Sequence, residues 1–151
     1  MNCPLCHADT KVVDTRPLAE EDAIRRRREC VKCAFRFTTV EEMQLLDLTV
    51  VKRDGEREGY RREKLARGIR QALVKRPFTE TKLKRLISVI ERDIQKRSCD
   101  EITSAEMGEI VMRRLKSFDQ VAYIRFASVY RQFEDVKTFQ KELSALSKTR
   151  G

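Results

Sequence analysis

The chain has 151 residues, 40% of them hydrophobic, with 33 Lys/Arg against 24 Asp/Glu, a formal charge of +9 and one histidine. That length holds one ordinary domain or two small ones. No apolar run approaches the roughly 20 residues that span a bilayer, so no membrane partner is expected, and the basic excess favours polyanions such as nucleic acid or nucleotides.

The chain opens on a metal knuckle. Cys3 and Cys6 form one Cys-x-x-Cys pair, and Cys30 and Cys33 form a second after 23 intervening residues. A two-residue spacer turns both sulfurs toward one ion. Four thiolates then close a tetrahedral shell suited to a single structural zinc, with no open position for chemistry. A segment of about 40 residues buries too little apolar surface to fold unaided, so the ion would supply its stability. Disulfides or a redox pair are the competing readings. No secretory hydrophobic segment precedes Cys3, which points to reduced thiols and a cytoplasmic protein. His7 adjoins Cys6, but four thiols already complete the shell. Cys99 has no neighbouring pair and reads as a structural thiol.

Between and after the knuckles the chain reads as three short strands: Thr10–Thr15, Ala23–Cys30, and a third in which Phe35, Phe37, Thr38 and Val40 fall. Pro17 and the acidic Glu20, Glu21 and Asp22 predict a turn or loop after the first. Three antiparallel strands with a metal at one end make a zinc ribbon. Its second strand carries four consecutive arginines, Arg25, Arg26, Arg27 and Arg28. On a strand, Arg25 and Arg27 project to one face and Arg26 and Arg28 to the other. Guanidinium forks match phosphate oxygens and read guanine bidentately, and Arg16, Lys32 and Arg36 widen the patch. The bland alternative is a solvated face neutralised by nearby acids. On a ribbon too small for an enzyme pocket, binding to double-stranded DNA is the stronger reading, with Arg26 and Arg28 as the pair whose loss weakens it.

Residues 50–76 form a second basic region, with ten Lys/Arg and four Asp/Glu. Thr49, Val50 and Val51 run into Lys52-Arg53-Asp54-Gly55, where Asp-Gly signals a hairpin turn, with Glu56–Tyr60 returning. Four helices follow. The first spans about Arg62–Lys75 and is stopped by Pro77. The second is capped by Thr79 and carries Leu83, Leu86, Ile87, Ile90 and Ile94 at helical spacing. The third opens on a Thr103/Glu106 capping box. The fourth spans about Asp119–Phe133 and is apolar nearly all round, so it is expected to be the central, most buried helix or part of an oligomer contact. A weaker amphipathic tail follows. The class is therefore α+β: a small three-stranded ribbon, then a mainly helical domain with a short N-terminal β-hairpin. The boundaries expected are 1–45 for the ribbon, 46–136 for the helical domain and 137–151 for the tail. Lys52, Arg53 and Lys64 would converge beside the first helix's N-terminus, where free amides also favour an anion. A triphosphate or a merely solvated basic helix would both satisfy that pattern. There is no Gly-x-x-x-x-Gly-Lys-Ser/Thr loop and no spaced His/Asp/Glu set, so an enzyme is not expected.

Val50-Val51-Lys52-Arg53-Asp54-Gly55, then Glu58 and Arg62-Glu63-Lys64-Leu65, resembles the opening of an ATP-cone, a small regulatory nucleotide-binding domain. With the ribbon start MNCPLCHADTKVVDTR, the RRRRECVKCAFRFTT stretch and VAYIRFASVYRQF, the whole chain resembles the NrdR family, bacterial repressors of ribonucleotide reductase genes. The resemblance implies ATP or dATP as regulatory ligand, with contacts at Val50, Lys52, Arg53, Gly55, Glu58, Tyr60, Lys64, Leu65 and Ser104. It also implies one zinc, operator DNA as partner, a nucleotide-dependent homo-oligomer, and association with the nucleoid when bound to DNA. Arg61-Arg62 and Gly59 depart from the cone pattern.

Overall fold

The computed structural model describes residues 1–18, 23–43, 47–97 and 100–148. The expected turn at Glu20–Asp22 and Cys99 lie outside the described residues. The chain divides into two compact units, Met1–Gln44 and Leu45–Gly151, and no described helix is long and apolar enough to cross a membrane. The α+β class read from the sequence holds.

The first unit is an antiparallel sheet of β1 (Thr10–Leu18), β2 (Ala23–Cys30) and β3 (Arg36–Glu42), in that spatial order. β1 runs further than expected and includes Pro17, which is tolerated because β1 is an edge strand and needs no ladder donor there. A register shift between Val12 and Asp14 leaves Val13 as a bulge. Among the described residues of this unit only Cys3, Ala23 and Cys30 are buried hydrophobics. The ribbon thus has almost no apolar core of its own.

The second unit begins with β4 (Thr49–Val51) and β5 (Arg57–Gly59), the expected hairpin. A third strand, β6 (Glu101–Thr103), was not foreseen. It pairs in parallel with β4, giving the order β5-β4-β6. Among the described residues five helices follow: α1 (Arg62–Ala72), α2 (Glu80–Gln95), α3 (Ser104–Phe118), α4 (Gln120–Tyr130) and α5 (Val136–Ser147). Thr79 caps α2, and Thr103 and Glu106 form the capping box of α3. Asp119 caps α4 through the Ala122 amide at 2.9 Å and is itself held by Arg76 Nε at 2.9 Å.

The core is built where α1, α2, α3 and β6 meet. Ile69, Leu73, Leu83, Ile90, Ile94, Ile102, Ile110, Val111, Met112 and Leu115 are all fully buried. The expectation that the fourth helix is the most buried is corrected. α4 buries only Ala122, Tyr123 and Ala127, while α2 and α3 each bury a longer apolar stripe. Ile124, Phe126 and Tyr130 of α4 pack against this core while only partly buried.

Candidate functional site

The two knuckles have the same backbone. The amide of His7 donates to the Cys3 carbonyl at 3.0 Å, and the amide of Ala34 donates to the Cys30 carbonyl at 3.2 Å. His7 and Ala34 both adopt φ of 57°, the left-handed corner that lets the chain double back after each pair. Each loop is closed by its first cysteine, whose amide donates to Ala8 at 2.8 Å in one and to Phe35 at 2.9 Å in the other. Four sulfurs result, all within 4.8 Å of one another. The separations Cys3–Cys33, Cys6–Cys30 and Cys6–Cys33 are 3.7, 3.5 and 3.6 Å. A zinc–sulfur bond of about 2.3 Å gives a tetrahedron with edges of about 3.8 Å, whereas a disulfide needs about 2.05 Å. The thiols therefore fit one zinc and not a pair of bridges. The amides of Cys33 and Lys32 point at Cys30 Sγ from 3.5 and 3.4 Å and draw its thiol down to about 6, while burial and the other three sulfurs push the Cys33 thiol up to about 12.

Above the knuckles the register sorts the arginines. Arg25 pairs across with Arg16, Arg27 with Asp14, and Glu29 with both Lys11 and Arg36. Residues directly opposite in a ladder share a face, so Arg16, Arg25, Arg27, Lys11 and Arg36 lie together. Arg36 and Lys11 are tied to Glu29 at 2.7 and 3.2 Å, and Arg16 to Asp14 at 3.0 Å. Arg25 and Arg27 are exposed and carry no ion pair among the described residues. On the other face Arg26 Nε is bound to Glu41 at 3.0 Å. Arg28 is half-buried between Val12 and Phe37, with its Nε lacking an acceptor. Lys32 is exposed on the second knuckle.

The helical unit holds a pocket of about 460 Å³, inside the size range of small-molecule sites. Eight of the nine residues singled out from the sequence line it: Val50, Lys52, Arg53, Glu58, Tyr60, Lys64, Leu65 and Ser104. The ninth, Gly55, does not. Its φ of 87° turns the hairpin, with its amide on the Lys52 carbonyl at 3.0 Å. β6 brings Ser104 in, because its register sets Thr103 beside Val51 and α3 starts at the next residue.

Sequence reasoning missed the opposite wall, where α3 gives Met107, Gly108 and Val111, α4 gives Phe126, Val129 and Tyr130, and Gln132 follows just beyond α4. The signal was present in the all-round apolar pattern of α4, whose Phe126 and Tyr130 pack half-buried at the edge of the core and also line the pocket. Phe126 and Tyr130 stack at 6.0 Å, and the Arg53 guanidinium lies 5.4 Å from the Tyr130 ring centre while donating to the Tyr130 carbonyl. At the basic edge, Glu58 is gripped by Lys64 at 2.5 Å and Lys52 at 3.5 Å. The Lys64 bond holds the Glu58 carboxyl below its ordinary range, and Glu56 and Glu58 raise Lys52. No side chain caps α1, and of its first amides that of Lys64 already donates to the Arg61 carbonyl at 3.1 Å.

A four-thiolate knuckle pair on a small sheet, joined to a helical domain with a pocket basic at one edge and aromatic on one wall, defines a zinc-ribbon protein with a ligand-binding module. Comparison with known proteins makes the class specific. Residues 1–41 match the family described as "Transcriptional repressor NrdR-like, N-terminal domain", and residues 48–136 match the ATP cone domain. Three relatives, each called "Transcriptional repressor NrdR", align over nearly the full length. The protein of Caldanaerobacter subterraneus subsp. tengcongensis is 51% identical over 98% of this chain and 94% of its own. That of Exiguobacterium sp. is 48% identical over 98% and 96%, and that of Acetivibrio thermocellus is 49% identical over 97% of each. The chain belongs to the NrdR family of transcriptional repressors.

Proposed function

We propose that this chain is a nucleotide-sensing repressor of ribonucleotide reductase genes. The ribbon holds operator DNA, and ATP or dATP in the cone pocket sets the oligomeric state and so the affinity for DNA. The observation that carries the reading is the pocket's polarity. Lys52, Arg53, Lys64 and the start of α1 lie at one edge, and Tyr60, Leu65, Phe126 and Tyr130 line the walls. A triphosphate suits the first and a purine the second. For phosphates to take Lys52 and Lys64, Glu58 must yield its two ion pairs.

On the ribbon, Arg25 and Arg27 are the best candidates for DNA phosphates or base edges, since they are exposed and unpaired among the described residues, while Arg16 and Arg36 flank them. Zinc, held by Cys3, Cys6, Cys30 and Cys33, supplies the fold of this unit and no reaction step. A nucleotide can control repression only by binding one assembly more tightly than another. The protein would act in the bacterial cytoplasm and on the nucleoid when bound to DNA.

The test pairs anisotropy on a fluorescent reductase-promoter duplex with sedimentation of the protein in ATP, in dATP and in neither. The reading expects both the mass distribution and the DNA affinity to change with nucleotide, and Lys64→Ala to remove that dependence. Identical mass and identical DNA affinity under all three conditions would overturn it.

A further inference from the structure

We infer that Glu91 is a positioning residue for the pocket, fixing Tyr60 and the start of α1 against it; this rests on the nucleotide reading above. Glu91 is 4% exposed and is the one buried charged residue among those described. It sits on the α2 face otherwise made by Leu83, Leu86, Ile87, Ile90 and Ile94, where periodicity calls for an apolar side chain. A carboxylate there is costly unless fully hydrogen-bonded. The Tyr60 hydroxyl donates to one of its oxygens at 2.8 Å, and Arg62 Nη1 donates to the other at 3.0 Å. Arg62 Nη2 reaches Ser88 Oγ at 3.4 Å.

Glu91 does not itself line the pocket, but Tyr60 and Arg62 belong to segments that do. Tyr60 follows β5 and presents its ring to the pocket, and its amide is fixed on the Leu48 carbonyl at 2.8 Å. With the hydroxyl held by Glu91, the ring is anchored at both ends. Burial, and then the Glu91 charge, push the Tyr60 phenol well above its ordinary range, so it remains a donor. Arg62 is the first residue of α1, and Lys64 and Leu65 stand in the same turn. One carboxylate thus ties the aromatic wall and the cationic edge of the pocket to the most buried helix face. A tie needed for stability alone is often met as well by an apolar side chain. This one joins the two elements whose spacing a nucleotide would read.

The test is a double-mutant cycle on Tyr60→Phe and Glu91→Gln, with dATP and ATP affinities measured calorimetrically on the full chain well below its melting temperature. Tyr60→Phe keeps the ring and the fold, so it reports even if Glu91→Gln folds poorly. Each single change is expected to weaken dATP by about tenfold, and the double change also by about tenfold instead of about a hundredfold, because both remove one link. Lower melting temperatures with wild-type affinities, or losses that multiply, would overturn the positioning role alone. A wild-type protein that binds neither nucleotide would overturn the reading on which it rests.

Discussion

Replacing Gly108 by alanine puts a methyl group into the Tyr130 ring. A Cβ built on Gly108 would stand 2.7 Å from Tyr130 Cδ2 and closer still to Cε2 and Cζ. The ring must therefore swing away, and three contacts go with it: the stack on Phe126, the Arg53 guanidinium over its face, and the hydroxyl's bond to the Ala105 carbonyl. These are worth about 0.5–1.5, 0.5–1 and 1 kcal/mol in turn. Against that loss, alanine inside α3 gains about 1 kcal/mol of helix propensity over glycine. The net expectation is a loss of about 1–2.5 kcal/mol, or about 4–10 °C in melting temperature for a unit of this size. Calorimetric melting of Gly108→Ala reads it directly, and the same substitution in a Tyr130→Ala background supplies the control. With the ring gone the clash is gone, so alanine should then stabilise by about 1 kcal/mol. A Gly108→Ala protein that melts at or above wild type with Tyr130 in place would refute this account of the pocket wall.

Chelating the metal under reducing conditions should unfold the ribbon and spare the helical unit, because Met1–Gln44 has little apolar core; loss of the strand amide signals by NMR, with the helical far-UV signal retained, is the expected result, and a ribbon still dispersed after chelation contradicts it. Arg25→Ala with Arg27→Ala should weaken operator binding and lower the slope of log affinity against log salt by about 2, more than Arg26→Ala with Arg28→Ala, since Arg26 is already paired with Glu41; equal effects of the two pairs would remove the face assignment. Asp93, bonded to Arg114 at 2.6 and 2.8 Å, has its carboxyl held below its ordinary value of 3.8 by that guanidinium. Burial alone would raise Asp119, but the Ala122 amide and Arg76 bring it below 3.8 as well. Groups with depressed folded values contribute stability that is full above the unfolded value and is lost as pH falls through the folded one. The urea midpoint of the helical unit should therefore fall below about pH 4, and a double Asp93→Asn, Asp119→Asn protein should show a shallower acid slope.

Local signals carried most of the fold. Thr79, and Thr103 with Glu106, announce helix starts by chemistry that needs no tertiary context, and both caps form as read. Asp54-Gly55 marks the hairpin for the same reason, since glycine alone takes φ of 87° without strain. β6 was not legible. Glu101-Ile102-Thr103 is too short to show a period, and it becomes a strand only because β4 offers it an edge. The end of α1 was misjudged by three residues, since Lys75 leaves the helical region at φ of 60° two residues before Pro77. At the pocket the basic edge stood out because charges cluster in sequence, whereas the α4 wall did not. Helical periodicity reports that Phe126 and Tyr130 are apolar, and it cannot say that a ring at the edge of the core also borders a cavity. On the ribbon, alternation separated Arg25 and Arg27 from Arg26 and Arg28, but only the register shows that Glu41 occupies the second face.

The parallel pairing of β4 with β6 has a kinetic consequence. Thr49 must find Glu101 after the whole of α1 and α2 has intervened, so this closure is a long-range step in folding the helical unit, slower than the helices it encloses. Ser104 and the α3 wall reach the pocket only once that closure is made. A ligand seated there should accordingly retard unfolding and leave the refolding rate nearly untouched. Stopped-flow traces with and without dATP would display that asymmetry, and the protein's lifetime would then follow nucleotide supply.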